Sequence, residues 1–172
     1  MKIKSGCGWK GEVTLGVIDV HDFEKIGDTN KLLELINSGK VTWKRKYINK
    51  NKVTNYALNY IAQILSSAAV LPLVFPSKME LGTGAGTPSG SDTNLWTPSA
   101  PTMKACSNIQ LYLSNYAQFI TTWLTSDPIT GTWTEAGLFD EKNNLWAHIA
   151  SNITVNAGEM LVGQWQIQIV GN

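Results

Sequence analysis

The chain has 172 residues, of which 43% are hydrophobic and only 16% are charged, with a formal net charge of +1. This length suits one domain, and the composition excludes a disordered charged tail, a histone-like polycation and a large two-domain enzyme. The longest mostly apolar run, residues 61–75, is interrupted by polar residues and is shorter than the about 20 residues that span a bilayer. The sequence therefore predicts a soluble protein with no membrane partner.

The N-terminus and the cysteines indicate the compartment. The first nine residues contain no apolar stretch and no cleavage site of a signal peptide, so we expect synthesis in a cytosol. Cys7 and Cys106 lack the spacing of metal ligands and cannot form a disulfide scaffold. We therefore expect two free thiols, no metal site and no cofactor.

Charge is distributed unevenly along the chain. Residues 1–60 hold eleven of the fourteen Lys and Arg residues and carry +5, whereas the remainder carries −4. Residues 40–52 are the most basic part, with Lys40, Lys44, Arg45, Lys46, Lys50 and Lys52. This cluster either binds phosphate or an acidic partner, or forms the solvated face of an edge strand that lysines protect from pairing. The second interpretation is favoured, and no nucleic-acid partner is expected, because no recognition helix or zinc framework accompanies the cluster. Lys44, Arg45 and Lys46 stay candidate partner contacts.

Residues 1–53 are predicted to form a strand–helix–strand elaboration of a single β-rich domain that covers residues 1–172. β-Branched residues predict a strand over 12–20, and the second strand is the basic segment 41–48. Between them, residues 28–30 supply N-cap side chains for a helix over 31–38 that Gly39 ends.

A second helix is predicted to begin after Thr54 or Asn55. Its apolar residues recur at spacings of three and four, and this pattern predicts a stripe that faces the core. The stripe consists of Leu58, Ile61, Ala62 and Leu65. Pro72 and Pro76 are expected to end the helical stretch, because neither donates a backbone hydrogen bond.

The remainder of the sequence predicts short strands separated by turns. The predicted strands cover residues 79–81, 109–113, 116–124, 131–139, 145–149 and 160–169. In the last of these, Trp165 and Ile167 alternate with glutamines, as in a sheet with one buried and one wet face. We expect a mainly β fold, an antiparallel β-sandwich or jelly-roll-like sheet pair, with one or two helices in the N-terminal half. Residues 82–102 are predicted to be an extended polar loop suited to lying across a partner surface.

The residues that carry chemistry are few. His21 and His148 lie in different halves, and a lone strand histidine such as His148 is expected to be packed or exposed and not a base. Glu135 and Asp140 are five residues apart, on opposite faces of a regular strand, which disfavours a shared site. The glycine-rich residues 82–86 neither end in Gly-Lys-Ser or Gly-Lys-Thr nor open a helix, so no nucleotide site is expected. The sequence predicts no catalytic, cofactor-binding or metal-binding residue.

Tryptophans suggest a different kind of site, since indole faces stack on sugars. Trp146 and Trp165 lie at strand positions that favour core packing. Trp96, in a loop with Pro98 and Pro101, is the candidate for an exposed partner contact. A carbohydrate-binding module for host attachment is therefore one alternative function.

Four short motifs occur in order before the final alternating strand. They are Asn51-Lys52-Val53-Thr54-Asn55, Leu81-Gly82-Thr83-Gly84, Ser91-Asp92-Thr93-Asn94-Leu95 and Thr134-Glu135-Ala136-Gly137-Leu138-Phe139-Asp140. This order, over residues 40–172, resembles small β-sandwich structural proteins of tailed bacteriophages, which lie on the head surface or on tail appendages. Residues 23–39 look like an insertion relative to that pattern.

The resemblance implies a non-enzymatic virion protein, made in the host bacterial cytoplasm and then part of the virion. It implies a head decoration or cement protein that binds the major capsid protein or other virion proteins as a homo-oligomer, of which a trimer is one form. A collar, tail-fibre or baseplate adaptor is the alternative. The resemblance also implies that Gly82 and Gly84 turn the chain out of a strand, that Asp92 caps a turn, and that Gly137 marks a bulge or a close backbone approach.

Overall fold

The computed structural model describes residues 8–65, 74–112 and 116–170. The predictions made for Cys7, Pro72 and Leu113 lie outside these residues. The strands are β1 (Gly8–Asp19), β2 (Arg45–Lys50), β3 (Lys52–Val53), β4 (Pro76–Gly82), β5 (Lys104–Ala105), β6 (Asn108–Tyr112), β7 (Tyr116–Trp123), β8 (Gly131–Asp140), β9 (Leu145–Val155) and β10 (Glu159–Val170). The helices are α1 (Val20–Ile26), α2 (Thr29–Asn37) and α3 (Asn55–Leu65), and a 3₁₀ turn lies at Ala100–Thr102 in the C-terminal half.

The strands form two antiparallel sheets of five strands each. Sheet A has the order β2-β1-β10-β7-β6, and sheet B has the order β3-β9-β8-β4-β5. The predicted antiparallel, mainly β fold is therefore confirmed, although it carries three α-helices where one or two were expected. Strand β1 lies between β2 and β10 and pairs with β10 from Gly8↔Val170 to Asp19↔Glu159. The N-terminal segment thus supplies an interior strand of sheet A.

The main core lies between the two sheets. It contains Leu15 of β1, Leu138 of β8 and Trp165 of β10, each at most 1% exposed. On β10 the apolar residues are buried while the intervening glutamines are half-buried. The alternation predicted for this strand is therefore confirmed, because each sheet presents every second side chain to the other sheet.

A second apolar cluster lies on the outer face of sheet A. Leu32 and Ile36 of α2 pack there against Ile18, Ile120 and Val162. Two helices occupy residues 20–37 where one was predicted. The capping carboxylates explain both starts, since Asp19 accepts from the His21 amide at 3.1 Å and Asp28 accepts from the Lys31 amide at 2.8 Å. The shorter helix, α1, buries no residue, which is why no apolar period marks it in the sequence.

The buried face predicted for α3 is wrong at Leu58 and Ala62, whereas Ile61 is half-buried and the side chain of Leu65 lies outside the described residues. Leu58 is 38% exposed and Ala62 is also exposed, whereas Ala57 is fully buried. The inward side instead carries Tyr56 and Tyr60, whose ring centroids lie 6.2 and 5.6 Å from that of Trp146 on β9. The aromatic rings of Tyr56 and Tyr60 therefore form the contact of this helix with β9.

Strand boundaries also differ from the sequence-based expectation. Strand β2 begins at Arg45 and not at residue 41, because Val41 and Trp43 pack against the cluster beneath α2. Strand β9 continues to Val155, six residues beyond its predicted end. The two-residue strands β3 and β5 were not predicted, since so short a segment carries no readable period.

Candidate functional site

Residues 83–103 connect β4 to β5, and we call this segment the strap. The strap crosses the outer face of sheet B, where Leu95, 4% exposed, packs against Phe139 and Leu145. The Ser99 amide donates to the Leu81 carbonyl at 3.0 Å, which ties the returning part of the strap to β4. The strap was expected to suit a partner surface, but the surface that it covers here is the chain's own sheet.

A single carboxylate, Glu135 on β8, fastens the strap at two places. Its Oε1 accepts from the amides of Gly84 at 2.9 Å and Thr97 at 2.7 Å, and its Oε2 accepts from the amide of Trp96 at 2.8 Å. The Glu135 side chain is 0% exposed, so the acceptor of all three hydrogen bonds is shielded from water. The neighbouring Thr134 hydroxyl donates to the Gly84 carbonyl at 2.6 Å. Glu135 therefore holds the outgoing and the returning parts of the strap together.

This arrangement gives Gly82 and Gly84 a role different from the one the resemblance implies. A Cβ on Gly82 would lie 2.5 Å from Glu135 Oε1 and 2.6 Å from the Thr97 carbonyl oxygen, and a Cβ on Gly84 would lie 2.6 Å from Glu135 Oε1. Glycine is needed there because the carboxylate and the returning backbone approach closely. Gly137 fits its predicted close approach, because a Cβ there would lie 2.6 Å from the Phe139 ring.

His148 of β9 joins Glu135 to a second carboxylate, Asp92 of the strap. The His148 Nδ1 lies 2.8 Å from Asp92 Oδ2, and its Nε2 lies 3.0 Å from Glu135 Oε2. We call these three residues the carboxylate–histidine cluster. Each ring nitrogen of His148 therefore lies within hydrogen-bond distance of a carboxylate, and the imidazole is 0% exposed.

Trp96 completes the surroundings of His148. Its ring centroid lies 4.4 Å from that of the imidazole at an interplanar angle of 56°. The indole is half-buried, so Trp96 lies partly against the cluster and offers only the rest of its surface to a partner.

The cluster differs from a catalytic triad in one decisive way. A triad histidine orients one nitrogen with a carboxylate and keeps the other for the nucleophile. Here carboxylates occupy both nitrogens, so no nitrogen is left to act as a base. In residues 8–65, 74–112 and 116–170 no group of three or more His, Cys, Asp or Glu side chains is arranged to hold a metal ion. The geometry is that of a clamp on the strap.

One further acid lies close to the clamp. Glu80 of β4 is 3% exposed, and it is opposite Gly137, which is itself opposite His148 on β9. Burial raises the pKa of Glu80, and repulsion from Glu135 raises it further. Its ionised form is therefore disfavoured in the folded protein.

Asp140, at the end of β8, organises a second polar cluster. Its carboxylate accepts from the Tyr56 hydroxyl at 3.0 Å, the Trp146 indole at 3.2 Å and the Asn144 amide at 2.9 Å. Burial raises the pKa of Asp140, but hydrogen bonds from Asn144, Trp146 and Tyr56 outweigh it and lower the pKa. Burial and the bond to Asp140 raise the pKa of Tyr56 to about 12. Asp140 and Glu135 thus have separate partners, and Asp140 fixes α3 to the β8–β9 turn.

The basic candidates differ in how they are engaged. Lys44 Nζ lies 3.1 Å from Asp19 Oδ2 and 2.9 Å from Glu159 Oε1, and Arg45 also pairs with Glu159. Burial raises the pKa of Glu159, but hydrogen bonds from Asn156, Lys44 and Arg45 outweigh it and lower the pKa to about 2. Lys46 is exposed. Of the three, Lys46 has the side chain that is most available to a partner.

Two findings concern residues that the sequence treated as isolated. The strand pattern predicts a packed or exposed His148, and no local signal reveals its partners, which are 56 and 13 residues away. Cys106 is a free thiol, and burial raises its pKa to about 11, so it is a weak nucleophile.

In the described part of the chain, no helix has the length and apolar character needed to cross a membrane. We found no protein-family model, no curated protein and no solved structure that matches this chain.

Proposed function

We propose that this protein is a non-enzymatic structural component of a tailed-phage virion, and that it is a head decoration protein bound to the capsid surface. The observation that carries the proposal is that the motifs of the phage resemblance contact one another. The Gly84 amide donates to Glu135 of the carboxylate–histidine cluster, Asp92 belongs to that cluster, and Leu95 packs on Phe139. The Asn55 amide of the first motif donates to the Gly90 carbonyl of the strap at 2.6 Å.

The chemistry of the site supports this proposal. Residue types that act on a substrate in many enzymes here form hydrogen bonds with the protein's own backbone and side chains. Glu135 accepts three backbone amides and His148 contacts two carboxylates, so the cluster adds rigidity to an outer surface. A rigid surface of low charge suits a large protein interface, since charged residues are depleted at interface cores.

Binding to capsid shells tests the proposal. Purified protein is mixed with empty, expanded shells of the phage that encodes it, and bound protein is measured by co-sedimentation. We expect saturable binding at micromolar concentration with hundreds of copies per shell. No binding at that concentration would overturn the assignment, and a few copies per complete particle would place the protein on the tail as an adaptor instead.

A matched pair of variants locates the contact. Lys46→Glu reverses the exposed charge of the basic strand, and Lys142→Glu reverses an exposed charge in the β8–β9 turn. If the basic face contacts the shell, K46E weakens binding at least about tenfold, which corresponds to about 1.4 kcal/mol, while K142E leaves binding unchanged. Equal effects of the two variants on shell binding would show that the basic strand does not contact the shell.

A glycan array tests the carbohydrate alternative in parallel. Wild-type binding to a host glycan that Trp96→Ala abolishes, with the fold intact by circular dichroism, would favour a host-attachment module over decoration. Packing of Trp96 on His148 limits the indole surface available for a sugar.

A further inference from the structure

Strand β6 is an edge of sheet A, and in the described part of the chain β7 is its only strand neighbour. An unpaired edge accepts another strand unless charge, proline or a covering segment protects it. The other three edge strands carry basic side chains, namely Arg45, Lys46 and Lys50 on β2, Lys52 on β3 and Lys104 on β5. Strand β6 has the sequence Asn-Ile-Gln-Leu-Tyr, with no charge and no proline. It is the one described edge strand that lacks this protection.

The absence of charge extends well beyond β6. Residues 105–126, which include β6 and β7, contain no Asp, Glu, Lys, Arg or His. The nearest charged residues, Lys104 and Asp127, pair with each other. Depletion of charge is typical of the core of a protein interface. Most of β7 is buried between β10 and β6, so the lack of charge indicates a contact surface only at the exposed edge strand β6.

Strand β6 also presents apolar side chains to solvent. Ile109 is 51% exposed and Leu111 is 76% exposed. In the register with β7 they lie opposite Phe119 and Ala117, which belong to or pack against the core between the sheets. Ile109 and Leu111 are thus on the core-facing side of sheet A, at a corner where sheet B does not cover them.

We propose that a second copy of this chain pairs with β6, strand against strand and antiparallel, about a two-fold axis at Gln110. In this register Ile109 of one copy lies opposite Leu111 of the other, and the two Gln110 residues face each other. Apolar residues then meet on one side and amides on the other, and sheet A continues across both copies as ten strands. This inference does not rest on the proposed virion function.

The pattern of β6 favours a second copy over an unrelated strand. An isologous two-fold contact requires a patch that complements itself, and the alternation of polar and apolar residues in β6 is symmetric about Gln110. The same operation on β2 would bring lysines and arginines together and would be repulsive. Pairing with a second copy is therefore favourable at β6 and unfavourable at β2, the opposite edge of sheet A.

Sedimentation velocity of the full chain tests the proposal. We expect a dimer with a dissociation constant in the range of about 1–100 µM, because a five-residue strand pair buries less area than a typical stable interface. Since the interface has no charge, the dissociation constant should change less than about twofold between about 0.05 and 0.5 M salt. A protein that stays monomeric at about 200 µM, or a dimer that salt dissociates, would overturn the proposal.

A matched pair of isoleucines on opposite edges of sheet A provides the control. Ile109 on β6 is 51% exposed and Ile48 on β2 is 49% exposed, so a lysine costs little folding energy at either site. We expect Ile109→Lys to weaken dimerisation at least about tenfold and Ile48→Lys to leave it unchanged. Equal effects of the two variants would contradict pairing through β6.

A cross-link gives a readout that does not depend on a destabilising charge. At the two-fold axis the two Gln110 Cα atoms should lie about 4.5–5.5 Å apart, within the range that a disulfide bridges. Gln110→Cys should therefore form a covalent dimer under mild oxidation, whereas Ile48→Cys and the wild type should not. Failure of Q110C to cross-link more than I48C would refute the proposed register.

Discussion

The clamp on the strap makes a quantitative prediction for Glu135→Gln. Each oxygen of Glu135 accepts two hydrogen bonds: Oε1 from Gly84 and Thr97, and Oε2 from Trp96 and His148. The oxygen of glutamine can preserve one of these pairs, but its NH₂ group must then face the two donors of the other. Two hydrogen bonds are lost and their partners are left without an acceptor, at a cost of about 1–3 kcal/mol for each partner.

We therefore expect E135Q to lower the free energy of unfolding by about 4 kcal/mol. For a chain of this length that loss lowers Tm by about 8–16 °C. Urea denaturation at pH 7 measures the free energy, and amide hydrogen exchange reports where it is lost. Protection should fall first at the Gly84, Trp96 and Thr97 amides, because the strap loosens before the sandwich opens.

Glu141→Gln is the matched control, since Glu141 is an exposed acid in the turn that follows the same strand. It should change stability by less than about 0.5 kcal/mol. The clamp would be refuted if E135Q stayed within about 1 kcal/mol of the wild type, or if the three strap amides kept their protection.

Three further predictions concern buried groups. The pKa of Glu159 is about 2, against an ordinary 4.5, so its carboxylate stabilises the fold fully above pH 4.5 and less as the pH falls towards 2. Glu159→Gln should therefore lower the free energy of unfolding by about 3 kcal/mol at pH 7, as measured by urea titration. The difference from the wild type should shrink below pH 4.5. The pKa of Glu80 is raised, so ionisation of this side chain destabilises the fold as pH rises. Glu80→Gln should therefore raise Tm more at pH 8 than at pH 4, and an equal rise in Tm at both pH values would contradict this prediction. Gly84→Ala should cost about 2 kcal/mol by denaturation, because its methyl group would lie 2.9 Å from the Thr97 nitrogen, whereas a change at the exposed Ala85, such as Ala85→Ser, should cost less than about 0.5 kcal/mol.

Strands could be predicted from the sequence where apolar and polar residues alternate along a half-buried segment. Strand β10 is the clearest case, because Trp165 and Ile167 face the core and the glutamines between them do not. The face of α3 was predicted wrongly because apolar residues at helical spacing were assumed to be buried. Tyr56 and Tyr60 face β9 instead, where they contact Trp146. The helical spacing of apolar residues cannot show this, because Trp146 is distant in the sequence.

The carboxylate–histidine cluster could not be predicted from local sequence. Its three residues come from the strap, β8 and β9, and their meeting depends on the register of β8 with β9. That register shifts twice, between Trp133 and Glu135 and between Leu138 and Phe139. A shift of one residue moves a side chain to the other face of a sheet, so a strand pattern alone does not show which side chains will meet.

The pairing of β1 with β10 has a consequence for how this protein folds during synthesis. Sheet A joins Gly8 to Val170, so its central strand pair forms only after the ribosome has released strand β10, about 150 residues after β1. Until then Val13, Leu15 and Val17 of β1 lack the neighbour that later helps to bury them. Non-local strand pairing makes folding slow, on a scale of about milliseconds to seconds, and leaves the nascent chain open to aggregation. Circular permutants that place β1 directly after β10 would convert this long closure into a local hairpin and should fold faster without a change in the final sandwich.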